Sequence, residues 1–267
     1  TLEVVMNNKI MFFDIDGTLL SEKTHSIPES TITALKKAKE NGHLIFINTG
    51  RTFSLIDNCI KDLDPDGYVC GCGTYIRYHD KVLSSFTLSS KRCNEIKELV
   101  RKTNIDGVLE GTDSIYFDQH IRHPLVKEIK QRYQNTPEFT LSTFDDPKLS
   151  FDKLTIWFDE DSDINTFKES IADDFDYITR DKNFGEIVPK GYSKATGIQF
   201  LLDYFNLEKD DAYVFGDSFN DEPMLGYVKH AIVMGNGDPE LFKYAYYVTK
   251  DIEDDGIYHA LEHLKLI

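Results

Sequence analysis

A short apolar run that ends in two aspartates places the strongest constraint on the fold of this chain. Residues 10–13 are all apolar, and the sequence DIDGT follows at 14–18. An uninterrupted apolar run of this length is typical of a strand buried on both faces, as in a parallel sheet. Asp14 then lies at the carboxyl end of that strand, where open α/β sheets bind their ligands. The pattern therefore predicts an acidic site at the edge of a parallel sheet.

Asp14 and Asp16 are expected on the same side of the chain, because side chains alternate along a strand. Two carboxylates about 4 Å apart repel each other by roughly 4 kcal/mol at an effective dielectric constant of about 20. A shared proton, a cationic side chain or a divalent metal could offset that repulsion. Gly17 lets the backbone turn away and leaves room for a ligand.

Two other apolar runs end in polar residues in the same way. The run at 44–47 is followed by Asn48-Thr49-Gly50, and the run at 212–215 is followed by the sequence GDSFND at 216–221. A helix predicted between the first two strands makes a βαβ unit, which places Thr49 beside Asp14 at one sheet edge. Several chemically active side chains are therefore expected to converge.

The helices of this part of the chain are predicted from their start and stop signals. The first is expected to have Ser26 as its cap and Pro28 in its first turn, and the second to run from about Thr52 to Lys61. A later helix opens at Ser193, so Lys194 falls in its first turn. A lysine there opposes the helix dipole, which makes its position informative.

The chain changes character near residue 75, where short alternating strands mixed with amphipathic helices begin. Such a mixture suggests a separate α+β layer. We therefore predict the α/β fold class, with a Rossmann-like parallel-sheet core at 1–82 and 188–267 and an inserted α+β cap domain at 83–187.

The converging acidic residues suit a magnesium ion. Asp14, Asp16 and Asp217 form an all-oxygen site of the kind that Mg²⁺ prefers. Asp221 is expected to join the metal's coordination and can also hold Lys194 in place.

The same residues suit phosphoryl transfer. Asp14 is the expected nucleophile, which forms an aspartyl-phosphate, and Asp16 is the expected general acid and base. The phosphoryl oxygens are expected to bind one hydroxyl, nearby backbone N–H groups and one ammonium, supplied by Thr49, Ile15, Gly50 and Lys194.

Four motifs in this order resemble the haloacid dehalogenase superfamily of phosphohydrolases, in its Cof-like branch with a large cap. They are DIDGTL at 14–19, TGR at 49–51, Lys194 and GDSFND at 216–221. The resemblance implies that Asn220 hydrogen-bonds the phosphoryl group and that the main-chain carbonyl of Asp16 joins the metal site. The chain departs from the family at Cys72-Gly73, where relatives commonly have Asn-Gly.

The resemblance implies a Mg²⁺-dependent phosphatase that acts on a small phosphorylated metabolite, such as a sugar phosphate. Three alternatives remain open at this point. The first is a phosphomutase, the second is a non-enzymatic, phospho-accepting switch of the receiver type, and the third is a catalytically silent sugar-phosphate binder. Multiple-turnover release of phosphate would exclude the switch.

Composition excludes other classes of partner. The formal net charge of −16 argues against nucleic acid, because phosphate backbones attract basic surfaces. No apolar run approaches the ~20 residues of a membrane span, and the N-terminus lacks a charged and then apolar leader. We therefore expect a cytoplasmic protein that needs neither a membrane nor an obligatory protein partner.

Overall fold

The computed structural model describes residues 8–267. Residues 1–7 lie outside the described residues. The predicted core includes them, and the expectation that the N-terminus lacks a leader also concerns them. The chain folds as two compact units. The first contains the described residues up to Gly50 together with Asn58–Leu83 and Ser193–Ile267, and the second contains Arg51–Asp57 and Ser84–Tyr192.

The first unit is built on an eight-stranded sheet. Its strands are β1 (Ile10–Phe13), β2 (Leu44–Asn48), β3 (Gly67–Cys70), β4 (Tyr75–Tyr78), β5 (Lys81–Ser85), and, after the second unit, β12 (Ala212–Gly216), β13 (His230–Val233) and β14 (Tyr247–Val248). Their spatial order is β14-β13-β12-β1-β2-β3-β4-β5. The pairs from β14 to β3 are parallel, and β4 runs antiparallel to β3.

Helices cover the faces of this sheet, as expected for strands buried on both sides. They are α1 (Glu29–Glu40), α2 (Asn58–Lys61), α6 (Lys194–Phe205), α7 (Glu222–Leu225) and α8 (Gly256–His263). Strand β1 is fully buried along its length. Its Phe12 belongs to an apolar cluster with Phe46 of β2 and Val214 of β12, and residues of α6 and α7 pack in the same cluster. The apolar runs of the sequence therefore form the centre of the sheet.

The second unit is an α+β layer with a six-stranded sheet of its own. Its strands are β6 (Asp106–Glu110), β7 (Ile115–Phe117), β8 (Leu141–Thr143), β9 (Lys153–Trp157), β10 (Phe175–Asp181) and β11 (Phe184–Pro189). Their order is β10-β11-β9-β6-β7-β8, and its helices are α3 (Ser90–Lys102), α4 (Pro124–Gln134) and α5 (Ile164–Ile171). We use the name cap for this unit.

The observed boundaries differ from the predicted ones in two places. The predicted insert spans 83–187, whereas the second unit continues to Tyr192. It also takes in Arg51–Asp57, which the sequence assigns to the core. Within this unit the Ser54 hydroxyl donates to the main-chain carbonyl of Gly111 at 2.6 Å, and Leu55 packs in an apolar cluster with residues of β6 and α4. These long-range contacts give no local sequence signal.

Two helix predictions were wrong in detail. The helix expected from Thr52 to Lys61 is a 3-10 turn at Phe53–Leu55 followed by the four-residue α2. Ile56, between them, is extended, which interrupts the helix. Helix α1 begins at Glu29 with Pro28 as its extended N-cap residue, so Ser26 is not the cap. Proline fixes φ at a value that this capping position also accepts.

Other short 3-10 turns connect the elements of the first unit, at Gly71–Gly73, Lys209–Asp211, Phe219–Asp221, Pro239–Tyr244 and Ile252–Asp254. Among residues 8–267, no helix combines the length and the apolar character that crossing a membrane requires.

Candidate active site

Two aspartates lie side by side at the carboxyl edge of the central strands. Strands β1 and β12 are parallel, and their register pairs Phe13 with Phe215. The next residues therefore meet: the backbone N–H of Asp14 donates to the carbonyl of Phe215 at 3.1 Å, and Asp217 follows the end of β12. Asp14 is 2% exposed. The sheet thus brings together two acidic motifs that are about two hundred positions apart in the sequence.

Lys194 reaches this edge from the first position of helix α6. Its N-cap is Ser193, whose side chain accepts from the backbone N–H of Thr196. The Lys194 ammonium donates to Asp14 Oδ1 at 2.7 Å and to Asp221 Oδ1 at 2.6 Å. The lysine side chain is fully buried, so this charge depends on those two carboxylates.

Asp221 acts as a brace for the loop after β12. Its Oδ2 accepts from the backbone N–H groups of Asp217 at 2.9 Å and Ser218 at 3.1 Å. With the bond from Lys194, its carboxylate accepts three hydrogen bonds and is fully buried. The sequence predicts that Asp221 joins the metal's coordination and can also hold Lys194. The bond from Lys194 is present, and metal coordination by Asp221 stays a prediction.

Two residues of the DIDGT segment fix the position of the Asp217 side chain. The Thr18 hydroxyl donates to Asp217 Oδ1 at 2.8 Å. Gly17 has φ +80°, and a Cβ placed on it would lie 2.3 Å from Asp217 Oδ2. Glycine is therefore required here both by the backbone conformation and by the approach of the carboxylate.

Negative charge exceeds positive charge in this cluster, and the pKa values reflect that excess. Burial, together with repulsion from Asp221, raises the pKa of Asp14 to about 7 despite the attraction of Lys194. Burial and repulsion from Asp14 and Asp221 raise the pKa of Asp217 to about 8. Burial alone would lower the pKa of Lys194, but the two neighbouring carboxylates raise it above its usual range. The ammonium stays charged, and either a bound proton or a further cation would offset the remaining repulsion between the carboxylates.

The donor set fits a hard divalent metal. Oxygen atoms of Asp14, Asp217 and Asp221 all lie within 4.8 Å of one another. Carboxylate oxygens are the ligands that Mg²⁺ prefers, and it usually keeps several waters beside one or two of them. Asp14 and Asp217 are the better placed of the three, because the Asp221 oxygens already accept hydrogen bonds from Lys194 and two backbone amides.

The other predicted site residues lie at the same edge. Asp16 is half-buried and adds to the negative potential that raises the pKa of Asp14. Its side chain is not part of the three-carboxylate group found among residues 8–267. Ile15 follows Asp14 and is buried, and its carbonyl accepts from the backbone N–H of Thr18 at 3.2 Å. It thereby shapes the turn that carries the two aspartates.

Thr49 and Gly50 follow β2 directly, and Thr49 is buried. Its backbone N–H donates to the main-chain carbonyl of Val69 at 2.9 Å, and its own carbonyl accepts from the backbone N–H of Cys72 at 3.1 Å. Cys72 has φ 56° in a buried 3-10 turn. The departure from the family at Cys72 therefore lies in a turn hydrogen-bonded to Thr49.

Asn220 lies in the loop after β12, where its Oδ1 accepts from the Ser218 hydroxyl at 2.6 Å. That contact fixes the amide and leaves its N–H₂ group as a donor. This arrangement is compatible with the role that the family resemblance implies for Asn220.

Sequence reasoning missed two residues that support the site. Thr18 belongs to the DIDGT segment, but no role was predicted for its hydroxyl. The Asn236 side chain donates to the carbonyl of Gly17 at 2.8 Å and accepts from the backbone N–H of Ile252 at 2.9 Å. The spacing of DIDGT could have indicated Thr18, whereas Asn236 lies in a loop with no distinguishing local pattern.

A comparison with known families decides the classification. The profile of the haloacid dehalogenase-like hydrolases matches residues 11–261. The chain belongs to this family. The match includes all four motifs that carry the resemblance in the sequence, and the parallel core with its α+β cap is the architecture of the Cof-like branch.

Individual relatives and solved structures agree with this classification. A Bacillus subtilis protein named "Putative phosphatase YkrA" is 29% identical over 98% of this chain and 100% of its own length. The B. subtilis 5-amino-6-(5-phospho-D-ribitylamino)uracil phosphatase YitU is 24% identical over 95% of this chain and 96% of its own length. A solved sugar phosphatase of subclass IIB superposes with a TM-score of 0.82 at 28% identity, covering 97% of this chain and 100% of the other. The hydrolase is a phosphatase of this family.

Proposed function

We propose that this enzyme is a Mg²⁺-dependent phosphatase that hydrolyses a small phosphomonoester, such as a sugar phosphate, through an aspartyl-phosphate on Asp14. The observation that carries the proposal is the buried Lys194 ammonium, which lies between Asp14 and Asp221 while Asp217 remains within 4.8 Å. This arrangement leaves one carboxylate beside a fixed positive charge and another carboxylate for a metal.

In the first half-reaction a carboxylate oxygen of Asp14 attacks phosphorus, and the bond from phosphorus to the leaving oxygen breaks. Asp16 donates a proton to that oxygen, so the product leaves as a neutral alcohol. Lys194 and the Thr49 hydroxyl bind phosphoryl oxygens, together with backbone N–H groups of Ile15 and Gly50 and the Asn220 amide.

In the second half-reaction water attacks the phosphorus of the aspartyl-phosphate. Asp16 now accepts a proton from that water, and the bond from phosphorus to the Asp14 oxygen breaks. Phosphate is released and Asp14 is regenerated as a carboxylate. The same residue thus serves as acid and then as base, as microscopic reversibility requires.

Mg²⁺ would be held by Asp14, Asp217 and the main-chain carbonyl of Asp16. When bound, it supplies positive charge that offsets the repulsion between carboxylate and phosphoryl oxygens. Asp221 contributes indirectly, because it holds both Lys194 and the backbone of Asp217.

The substrate class rests on the relatives. One is named as a sugar phosphatase, and another as the phosphatase of a phosphorylated ribitylamino compound. Both names describe phosphomonoesters of polyhydroxylated carbon chains. We therefore extend to this chain the chemistry they share, which is a phosphate on a small polyhydroxylated metabolite.

Trapping the phosphoenzyme tests the nucleophile. Asp14→Asn is expected to lower turnover of p-nitrophenyl phosphate by more than about a thousandfold and to abolish acid-stable labelling by phosphorylated substrate. Reduction of the acyl phosphate with tritiated borohydride releases phosphate and leaves tritium-labelled homoserine, which peptide mapping should place at position 14 in the unmodified enzyme. Asp152→Asn is the matched control, because Asp152 is also a buried aspartate whose burial raises its pKa, in the cap.

Ordinary turnover by Asp14→Asn would refute the nucleophile assignment. EDTA is expected to silence the enzyme and Mg²⁺ to restore it, and full activity after exhaustive metal removal would remove the metal from the proposal. A requirement for a bisphosphate, with isomerisation in place of release, would instead indicate a phosphomutase.

A further inference from the structure

Asn48 links three parts of the active site, and the proposed reaction uses none of its atoms. It is the last residue of β2 and is fully buried. Its Nδ2 donates to the main-chain carbonyl of Lys194 at 3.1 Å and lies 3.5 Å from the Met224 sulfur. One amide therefore connects the strand before Thr49, the first residue of α6 and the short helix that follows Asp221.

Packing does not explain an asparagine at this position. The preceding residues of β2, Phe46 and Ile47, are apolar and fully buried. Asn48 Oδ1 is buried and has no hydrogen-bond partner among residues 8–267. An unsatisfied buried acceptor destabilises the fold, whereas leucine would fill similar space without that penalty. The N–H₂ group, which bonds Lys194, is what distinguishes asparagine here.

Two glycines hold the same helical turn closely against its neighbours. A Cβ on Gly197 would lie 2.3 Å from Val69 Cγ1, and a Cβ on Gly73 would lie 2.6 Å from the carbonyl oxygen of Ser193. The start of α6 is therefore seated against β3 and the turn that follows it. Within this apolar contact, the Asn48 amide supplies a directional bond to the residue that carries the ammonium.

We propose that Asn48 is a positioning residue for Lys194. Its bond to the Lys194 carbonyl fixes the first turn of α6, so that the ammonium meets Asp14 and Asp221 at 2.7 and 2.6 Å. This inference rests on the proposed role of Lys194 in phosphoryl transfer. It assigns to Asn48 no contact with substrate and no proton transfer.

Steady-state kinetics of Asn48→Leu test the proposal. We expect kcat for p-nitrophenyl phosphate to fall about tenfold, because small displacements of a positioning group are costly in the transition state. We expect KM to change by less than about threefold, since a displaced ammonium still attracts the phosphate dianion. The smaller serine side chain of Asn48→Ser creates less strain. We expect this variant also to lose kcat with little change in KM, and the loss of kcat to be smaller.

Asn41→Leu is the matched control. Its Nδ2 likewise donates to a distant main-chain carbonyl, that of Leu266, at 3.0 Å, and it caps the C-terminal end of α1. It should leave kcat unchanged. All variants are assayed well below their melting temperatures, so that a loss of folded protein does not enter the rates.

A double-mutant cycle with Lys194→Met separates positioning from general stabilisation. If Asn48 acts through Lys194, Asn48→Leu should cause no further loss of kcat in the Lys194→Met background. A loss that multiplies in that background, or a kcat for Asn48→Leu equal to that of Asn41→Leu, would overturn the inference. Ordinary activity of Lys194→Met would instead refute the role of Lys194 in the proposed function.

Discussion

Each of the two units buries a lysine between two carboxylates, but only the core cluster has negative charge left over. In the core, Asp14, Asp217 and Asp221 surround Lys194, which gives three carboxylates for one ammonium. In the cap, Lys153 forms ion pairs with Glu110 and Glu186, and Arg180 also pairs with Glu186. Two carboxylates there face two cations, so the cap cluster is formally neutral.

The pKa values show this contrast at Glu186, whereas the pKa of Glu110 is raised like those of the core carboxylates. Burial alone would raise the pKa of Glu186, but Lys153 and Arg180 lower it to about 2. Burial raises the pKa of Glu110 in spite of Lys153, and the Thr155 hydroxyl donates to its carboxylate at 3.0 Å. In the core, by comparison, the carboxylates of Asp14 and Asp217 have pKa values raised to about 7 and about 8.

The two clusters are also built differently. The cap cluster joins neighbours across adjacent strands of one sheet: Glu110 is opposite Lys153, and Glu186 is opposite Thr155. The core cluster joins the carboxyl ends of parallel strands with the start of a helix. We infer from this contrast that an excess of acids over cations distinguishes the proposed reactive lysine of the core from the ion-paired lysine of the cap.

Exchange of each lysine for methionine gives the largest expected difference between the units. Lys194→Met should lower kcat for p-nitrophenyl phosphate by about a thousandfold, because it removes a preorganised donor to the phosphoryl group. Lys153→Met should leave kcat little changed when measured on folded protein. Steady-state assays at saturating Mg²⁺ measure both, and an equal loss in the two variants would abolish the distinction between a reactive and a structural lysine.

Loss of the buried lysine of the cap should lower the stability of the protein. Among residues 8–267, Lys153→Met leaves Glu110 with no cationic ion-pair partner, and it is expected to cost about 3–5 kcal/mol in the free energy of unfolding. Urea unfolding, followed by a probe in the cap such as Trp157 fluorescence, measures this loss. Lys182→Met, an exposed lysine between β10 and β11, is the control and should shift the midpoint little. A Lys153→Met protein as stable as this control would show that the cap cluster contributes nothing to the fold.

Gly17→Ala tests whether activity depends on the position of the Asp217 carboxylate. The added Cβ would lie 2.3 Å from Asp217 Oδ2, so Asp217 must move, and kcat is expected to fall about a hundredfold. Gly191→Ala is the matched control in the cap: it has φ +82°, but its Cβ would meet nothing within 4 Å. Both variants carry the backbone strain, and equal activities would mean that the position of Asp217 does not matter.

The smallest expected effect is a pH dependence of stability in the cap. Burial raises the pKa of Asp152 from 3.8 to about 6. The folded state therefore binds a proton more tightly than the unfolded state, and the associated stability is present below about pH 4 and lost as the pH rises through 6. Asp152→Asn avoids this loss.

Asp152→Asn should therefore unfold like the unmodified protein at pH 4 but be more stable by about 3 kcal/mol at pH 8. Denaturant unfolding at several pH values measures the difference, and kcat should not change. A constant difference across that pH range would show that ionisation of Asp152 does not contribute.

Much of the core could be predicted from the sequence because its strands are short apolar runs with polar ends. That pattern places Asp14, Thr49 and Asp217 at one sheet edge, and the fold brings Asp14 together with Lys194 and Asp217. The family and the α/β class with a cap were confirmed. The assigned roles of the site residues stay predictions. Asn236 and Asn48 were missed because their bonds join distant parts of the chain, whereas Thr18 lies in the DIDGT segment and its hydroxyl was given no role.

Apolar runs and motif spacing are local features of the sequence. They sufficed to predict which residues end the central strands and which chemistry those residues can support. The tertiary structure alone decided the broken helix after Thr52, the grouping of Arg51–Asp57 with the cap and the partners of the two buried lysines. The grouping of Arg51–Asp57 with the cap follows from contacts between residues that are distant in the sequence, and the partners of a buried charge depend on desolvation and pairing energies that nearly cancel. The local sequence does not specify these long-range contacts.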